Sequence, residues 1–298
     1  MALRTLRTRD LDLAFDDAGP AAAEPVVLLH GFPYDPRSYD AVVARLTRAG
    51  YRTIVPYLRG YGPTRFLSPG TPRSGQQAAL AQDLLDLLDG LALSRAALVG
   101  FDWGGRAACI VAALFPERVR FLISMEGYNI QDIARMVEPG EPEQELRYWY
   151  QYYFNTERGR RGLERNRREI GRLLWRLWSP TWRFDDQTYD QTAASFANPD
   201  FVAVAIHSYR HRYGAAAGDP RYDEIELRLA EQPAISVPTL VLHGADDGVI
   251  PAATSLAHYQ HFTGAYERRE IEGAGHNLPQ EKPEVLAGAI LELLVRYP

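Results

Sequence analysis

Apolar positions along this chain follow two rhythms. In its first part, short uninterrupted apolar runs alternate with amphipathic stretches. Pro25-Val26-Val27-Leu28-Leu29, Arg52-Thr53-Ile54-Val55 and Arg120-Phe121-Leu122-Ile123-Ser124-Met125 are short and apolar enough to be strands covered on both faces. Between them, a stretch from about Ser38 to Ala49 predicts a helix stopped by Gly50. A second helix is predicted from about Gln76 to Leu88, with Leu80, Leu84, Leu87 and Leu88 on one stripe. Residues from about Thr5 to Ala14 read as two short strands joined at Arg9-Asp10. Strands alternating with helices predict a largely parallel sheet with crossover connections.

This rhythm stops after Gly127. From about Asn129 to Gln232 the chain carries arginine-rich helical stretches and a dense aromatic cluster that includes Trp149, Tyr150, Trp175 and Trp178. The strand pattern resumes at Val237 to Gly244, continues at Tyr266 to Ile271, and closes with a helix from about Pro283 to Arg296. The expected organisation is an α/β core formed by residues 1–128 and 233–298, interrupted by a helical cap at 129–232.

Composition narrows the possibilities. A chain of 298 residues that is 46% hydrophobic and 24% charged has enough apolar material for one large domain with an insertion. Its net charge of −5 argues against a nucleic-acid or anionic-membrane partner. Lysine occurs only at Lys282, and the arginines from Arg158 to Arg176 read as a solvated helix face. The single cysteine, Cys109, excludes an internal disulfide and is expected to be buried and inert. The stretch Met1 to Arg7 lacks the apolar core of a secretion signal, so the expected location is cytoplasmic. Composition leaves a homodimer open.

The chemistry concentrates at Val99-Gly100-Phe101-Asp102-Trp103-Gly104-Gly105. An apolar run breaks on glycines into a helical one, with a single reactive side chain at the apex: a nucleophile elbow. The bland reading is a tight turn with an aspartate cap. Three more features follow in a telling order. Asp246-Asp247 comes after the strand ending at Gly244, where an orienting carboxylate belongs, and Gly273-Ala274-Gly275-His276 places an imidazole after the next strand. Such an imidazole can take a proton from water while a buried carboxylate fixes its tautomer. His30-Gly31-Phe32-Pro33 offers a backbone N–H at Phe32, which with that of Trp103 forms a candidate oxyanion hole. His207, His211, His258 and His261 lack this setting and read as ordinary helix residues.

On these residues the chain resembles the α/β-hydrolase superfamily. Its aspartate elbow resembles that of the epoxide hydrolase and haloalkane dehalogenase branch. In the cap, Trp149-Tyr150-Gln151-Tyr152-Tyr153-Phe154 and Ser208-Tyr209-Arg210-His211-Arg212-Tyr213 look like the two tyrosine segments of soluble epoxide hydrolases. The resemblance implies Asp102 as nucleophile, His276 as base, Asp247 as its acid, and Tyr150 and Tyr209 as ring-opening phenols. Tyr148, Tyr152, Tyr153 and Tyr213 are expected only to pack. Glu126 matches an alternative acid position. Phe32, Trp103, Trp149, Tyr150 and Tyr209 would line the pocket.

This chain departs from the family pattern at Phe101, where histidine is usual, at Tyr57, which precedes Leu58-Arg59-Gly60 in place of an aspartate, and at Asn277, where an aromatic residue is frequent. The implied reaction is hydrolysis of an epoxide to a diol on a small apolar organic substrate, with no metal or organic cofactor. A haloalkane or haloacid dehalogenase with the same aspartate and histidine is the alternative, with Trp103 and Trp149 as halide donors. A binding protein without turnover is a third reading.

Overall fold

The computed structural model describes residues 2–298; residue 1, which opens the expected core range, lies outside them. Nine strands form one twisted sheet: β1 (Ala2–Arg7), β2 (Leu11–Ala18), β3 (Pro25–Leu29), β4 (Arg52–Pro56), β5 (Arg65–Phe66), β6 (Ala96–Gly100), β7 (Val119–Met125), β8 (Thr239–Gly244) and β9 (Tyr266–Ile271). Their order is β1-β2-β4-β3-β6-β7-β8-β9, with the two-residue β5 paired to β2. β2 runs antiparallel to β1, β4 and β5, and every pairing from β4 to β9 is parallel. β4, β6, β7 and β8 are buried along their whole length, which is why they read as unbroken apolar runs.

Helices α1 (Asp40–Arg48), α2 (Gln77–Gly90) and α3 (Asp102–Leu114) connect the first parallel strands. The leucine stripe of α2 is buried as expected. The first helix begins differently from its prediction. Asp35 caps a 3₁₀ turn at Pro36–Tyr39 by accepting from Arg37 N–H, and only then does α1 start. β5 escaped the sequence reading because two residues carry no period.

Between β7 and β8 the chain is helical: α4 (Pro142–Arg147), α5 (Trp149–Asn155), α6 (Glu157–Arg165), α7 (Arg167–Trp178), α8 (Asp186–Ala193), α9 (Phe201–Arg212) and α10 (Asp223–Ala230). On α6, Arg160 pairs with Glu157 at 2.9 Å and Glu164 at 3.0 Å, the solvated face the arginine run predicts. After β9 come the short α11 (Leu278–Glu281) and α12 (Pro283–Arg296). Among the described residues, no helix is long and apolar enough to cross a membrane.

The cap is pinned to the core by directed bonds as well as by aromatic packing. Trp175 Nε1–H donates to Pro33 O at 2.9 Å, and Ser195 Oγ–H donates to Asp35 Oδ2 at 2.6 Å. Strand order does the rest. β3, β6, β7, β8 and β9 are consecutive neighbours, so the loops after them meet along one edge, where parallel sheets place their sites. Those loops carry Phe32, Asp102, Glu126, Asp247 and His276.

Candidate active site

Asp102 sits at the first position of α3 with a φ of 49°, a left-handed conformation that is costly for a residue with a Cβ. The flanking glycines allow it. A Cβ on Gly104 would lie 2.2 Å from Leu29 O, and one on Gly31 would lie 2.5 Å from Asp102 Oδ1. That close approach lets Phe32 N–H donate to Asp102 Oδ1 at 2.7 Å. The loop is held by His30, whose Nδ1–H donates to Gly31 O at 3.0 Å while Nε2 accepts from Leu58 N–H at 3.1 Å. Burial depresses the His30 pKa to about 4, so this imidazole stays neutral and keeps both bonds. The Phe32–Pro33 bond is cis. Trp103 N–H, the second expected donor, makes no hydrogen bond to Asp102 among the described residues. Its indole lies fully buried against Phe32 at 5.6 Å.

His276 faces two carboxylates. Its Nδ1–H donates to Asp247 Oδ2 at 2.8 Å, and Glu126 Oε1 lies 3.7 Å from the same nitrogen. Asp247 Oδ1 accepts from Val249 and Ile250 N–H, both at 2.8 Å, which fixes the carboxylate. Glu126 Oε2 instead accepts from Asp102 N–H at 2.9 Å, so Glu126 secures the elbow beneath Asp102. Asp246 turns outward and accepts from Thr181 Oγ–H. Burial alone would depress His276, but Asp247, Glu126 and Asp102 together raise its pKa to about 10. Burial raises Glu126 to about 7, partly opposed by His276. Glu126, Asp247 and His276 offer ligand atoms within 4.8 Å of one another, close enough for a metal ion. Hydrogen bonds already account for Asp247 and for His276 Nδ1, which fits a proton relay better than a ligand set. His276 Nε2 is buried without a partner.

The cap closes the site through α7. Trp178 O accepts from both Gly248 N–H at 2.9 Å and His276 N–H at 3.1 Å, so one carbonyl ties the acid loop to the base loop. The Trp178 ring packs edge-on to His276 at 5.2 Å. Tyr150 and Tyr209 are both buried, with ring centroids 5.4 Å apart at 86°. Tyr150 Oη accepts from Gln151 Nε2–H at 2.9 Å, leaving its own hydrogen free to donate. Burial pushes both phenols far above the ordinary tyrosine range, Asp102 adding to the effect, so both stay protonated.

A cavity of about 380 Å³ opens onto Asp102, Glu126, Tyr150 and His276. Its lining corrects the sequence reading in three respects. Of the expected pocket residues, only Tyr150 faces this cavity. Trp149 lies outside it against Tyr153, and Phe32, Trp103 and Tyr209 stack on one another beside it. Tyr148 lines the cavity rather than only packing. His258 and His261 line it too, although they read as ordinary helix residues. His258 Nδ1 accepts from Tyr128 N–H at 3.0 Å. Arg106 and Arg212 also line the cavity, so it is less apolar than the aromatic cluster suggested. The signal for Arg106 was in the sequence: it stands four residues after Asp102 on the same helix face, charged at the head of an apolar run.

Fold and site define a hydrolase with an inserted cap, and the chain belongs to the alpha/beta hydrolase fold family, whose model matches residues 24–283. A Klebsiella pneumoniae protein designated a candidate epoxide hydrolase has a crystal structure that superposes with a TM-score of 0.95 at 45% identity, over 98% of this chain and 96% of that one. Epoxide hydrolase A of Mycobacterium tuberculosis is 28% identical over 98% of this chain and 96% of its own length. Epoxide Hydrolase A from Mycobacterium thermoresistibile shares the fold, with a TM-score of 0.78 at 24% identity over 98% of each chain.

Proposed function

We propose that this protein is an epoxide hydrolase that works through a covalent ester on Asp102. The observation that carries the reading is the fixed asymmetry of that carboxylate: Oδ1 accepts from Phe32 N–H, leaving Oδ2 free to attack an oxirane carbon. Tyr150, on the cavity wall, donates to the ring oxygen and protonates it as the C–O bond breaks, because the departing alkoxide is too basic to leave unaided. Tyr209, edge-on to Tyr150 at 5.4 Å behind that wall, is the second phenol proposed to steady the oxygen. Alkylation removes the Asp102 charge, the smallest of the carboxylate contributions that hold a proton on His276, and so moves the imidazole toward its neutral, basic form. Nδ1 is occupied by Asp247, so Nε2 takes the proton from water. The resulting hydroxide attacks Asp102 Cγ, and Phe32 N–H holds the oxyanion that forms on Oδ1. As that intermediate collapses, His276 gives its proton to the leaving oxygen, the diol departs, and the remaining carboxyl proton returns to the tyrosinate. The names of the Klebsiella and Mycobacterium tuberculosis relatives support the substrate class.

A second reading, dehalogenation, is favoured by one observation. Trp103 Nε1–H is buried without a partner, a donor suited to a halide. The tyrosines separate the two. General-acid help is worth about 10²–10⁴-fold where the leaving oxygen needs a proton and little where a stable halide departs. Tyr150→Phe and Tyr209→Phe should each slow styrene oxide opening by at least tenfold, measured as single-turnover rates, and the double variant should be nearly inactive. Wild-type epoxide rates in both variants, together with turnover of 1-bromobutane that falls in Trp103→Phe, would favour dehalogenation instead.

A further inference from the structure

The Arg106 side chain lies on the cavity wall, and its Nη2 stands 3.6 Å from Asp102 Oδ2, the oxygen that Phe32 leaves free. Arg106 is only 9% exposed, and its guanidinium, which opens onto the cavity, donates no hydrogen bond to any described residue. That is an unusual condition for a buried group with five N–H donors. Its neighbour Arg212 is 5% exposed and fully engaged by comparison. Arg212 donates through Nη1 to Gln151 Oε1 at 2.8 Å and lies over the Tyr209 ring at 5.0 Å. With the Gln131 amide oriented to satisfy both groups, its oxygen accepts from Arg212 Nε at 2.8 Å and Nη2 at 3.0 Å. Arg212 is therefore a fixed second charge on the same wall, and it helps, after burial, to lower the Arg106 pKa. Among the described residues, Asp102 is the one acid within ion-pair distance of Arg106.

The proposed reaction consumes that acid. When Oδ2 is alkylated, Asp102 becomes a neutral ester, and Arg106 is left on the cavity wall with neither a protein counter-charge nor a protein hydrogen-bond acceptor. A neutral substrate would leave this cost uncompensated in the intermediate. A substrate that brings its own anion would offset it. Building on the epoxide reading above, we infer that the substrate is an oxirane carboxylate, its carboxylate held by the Arg106 guanidinium while Asp102 Oδ2 attacks the ring.

Geometry limits how far that carboxylate can be from the ring. The attacked carbon must stand about 3 Å from Oδ2 and the carboxylate about 3 Å from a guanidinium nitrogen. Those two atoms are only 3.6 Å apart. The attacked carbon and the carboxylate oxygen therefore stand within about 10 Å of each other, so a carboxylate on the oxirane or on a short spacer reaches Arg106 and a long spacer would carry it past. The planar fork of arginine matches a carboxylate in two parallel hydrogen bonds. The remaining substituent would extend toward Tyr148, His258 and His261, which supply a mixed aromatic and polar wall.

Two measurements on the intact protein test this inference. The first compares 3-phenylglycidate with 3-phenylglycidamide, which differ in charge but hardly in shape. The wild type should show at least a hundredfold higher kcat/KM for the carboxylate. Arg106→Gln should lose most of that preference, chiefly through KM, while amide turnover changes only a few-fold. Equal use of acid and amide by the wild type, or an equal loss of both in Arg106→Gln, would overturn the inference and leave Arg106 as a partner of Asp102 alone. The second measurement needs no chemistry: calorimetric binding of 3-phenylpropanoate and its amide. Tighter binding of the acid by at least tenfold, abolished in Arg106→Gln and partly kept in Arg106→Lys, supports the anion site even if no oxirane is opened. That last result would defeat the epoxide reading and spare the site. Equal binding of acid and amide defeats the site whatever the turnover shows.

Discussion

Asp247 and Glu126 face the same imidazole nitrogen at 2.8 and 3.7 Å, and their other contacts distinguish their roles. Asp247 is braced by two backbone N–H groups and spends its remaining oxygen on His276. Glu126 spends one oxygen on the backbone of the nucleophile, so its loss should disturb attack as well as hydrolysis. The two steps separate in variants. In His276→Gln, Asp102 still attacks, so an adduct one substrate heavier should accumulate in intact-protein mass spectra and persist for hours. Asp247→Asn should slow decay of that adduct by 10²-fold or more with little change in its formation. Glu126→Gln should slow formation at least as much as decay. An unmodified His276→Gln protein that remains folded would place the histidine before the first chemical step.

At the scale of elements, the end of α7 (Arg167–Trp178) serves as a clamp. Trp178 O holds the loops after β8 and β9 together, and Ser179 Oγ–H donates to Glu281, which accepts from Gly275 N–H at 2.8 Å. Two glycines make room for this contact. A Cβ on Gly275 would stand 2.5 Å from Ser179 Cα, and one on Gly248 would stand 1.9 Å from Leu177 O. Gly275→Ala should therefore push α7 away from His276 and cost about 1–3 kcal/mol of stability, read by denaturant unfolding. Adduct hydrolysis should slow while adduct formation, which uses other loops, changes less. Unchanged stability and an unchanged decay rate would mean that cap and base loop move independently.

Across the whole molecule, legibility in the sequence followed the range of the forces involved. The strands and the elbow were readable because burial on both faces and a strained turn leave local marks, as at Val26 to Leu29 and at Gly100 to Gly104. The order of acid and base along the chain located Asp247 and His276. What sequence could not convey was direction. Trp149 and Tyr150 are adjacent on α5, but successive helix residues diverge by about 100°, so only Tyr150 faces the cavity. Trp175 and Trp178 read only as members of the cap's aromatic cluster; Trp178 lines the cavity, whereas Trp175 is spent on the cap–core contact through Pro33 O. Arg106 was legible as a charge and illegible as a free one, because its lack of partners depends on residues brought in from the cap.

Covalent catalysis by Asp102 is the step on which the other proposed roles depend, and one measurement reaches it directly. In a single turnover in heavy-oxygen water, with enzyme in excess over 3-phenylglycidate or styrene oxide, hydroxide attacks Cγ of the enzyme rather than the substrate. The solvent oxygen should then appear in the peptide that contains Asp102, raising its mass by about 2 Da, and the first diol released should be unlabelled. Label confined to the diol, with the Asp102 peptide unchanged, would mean that water opens the ring directly and that Asp102 is not the nucleophile.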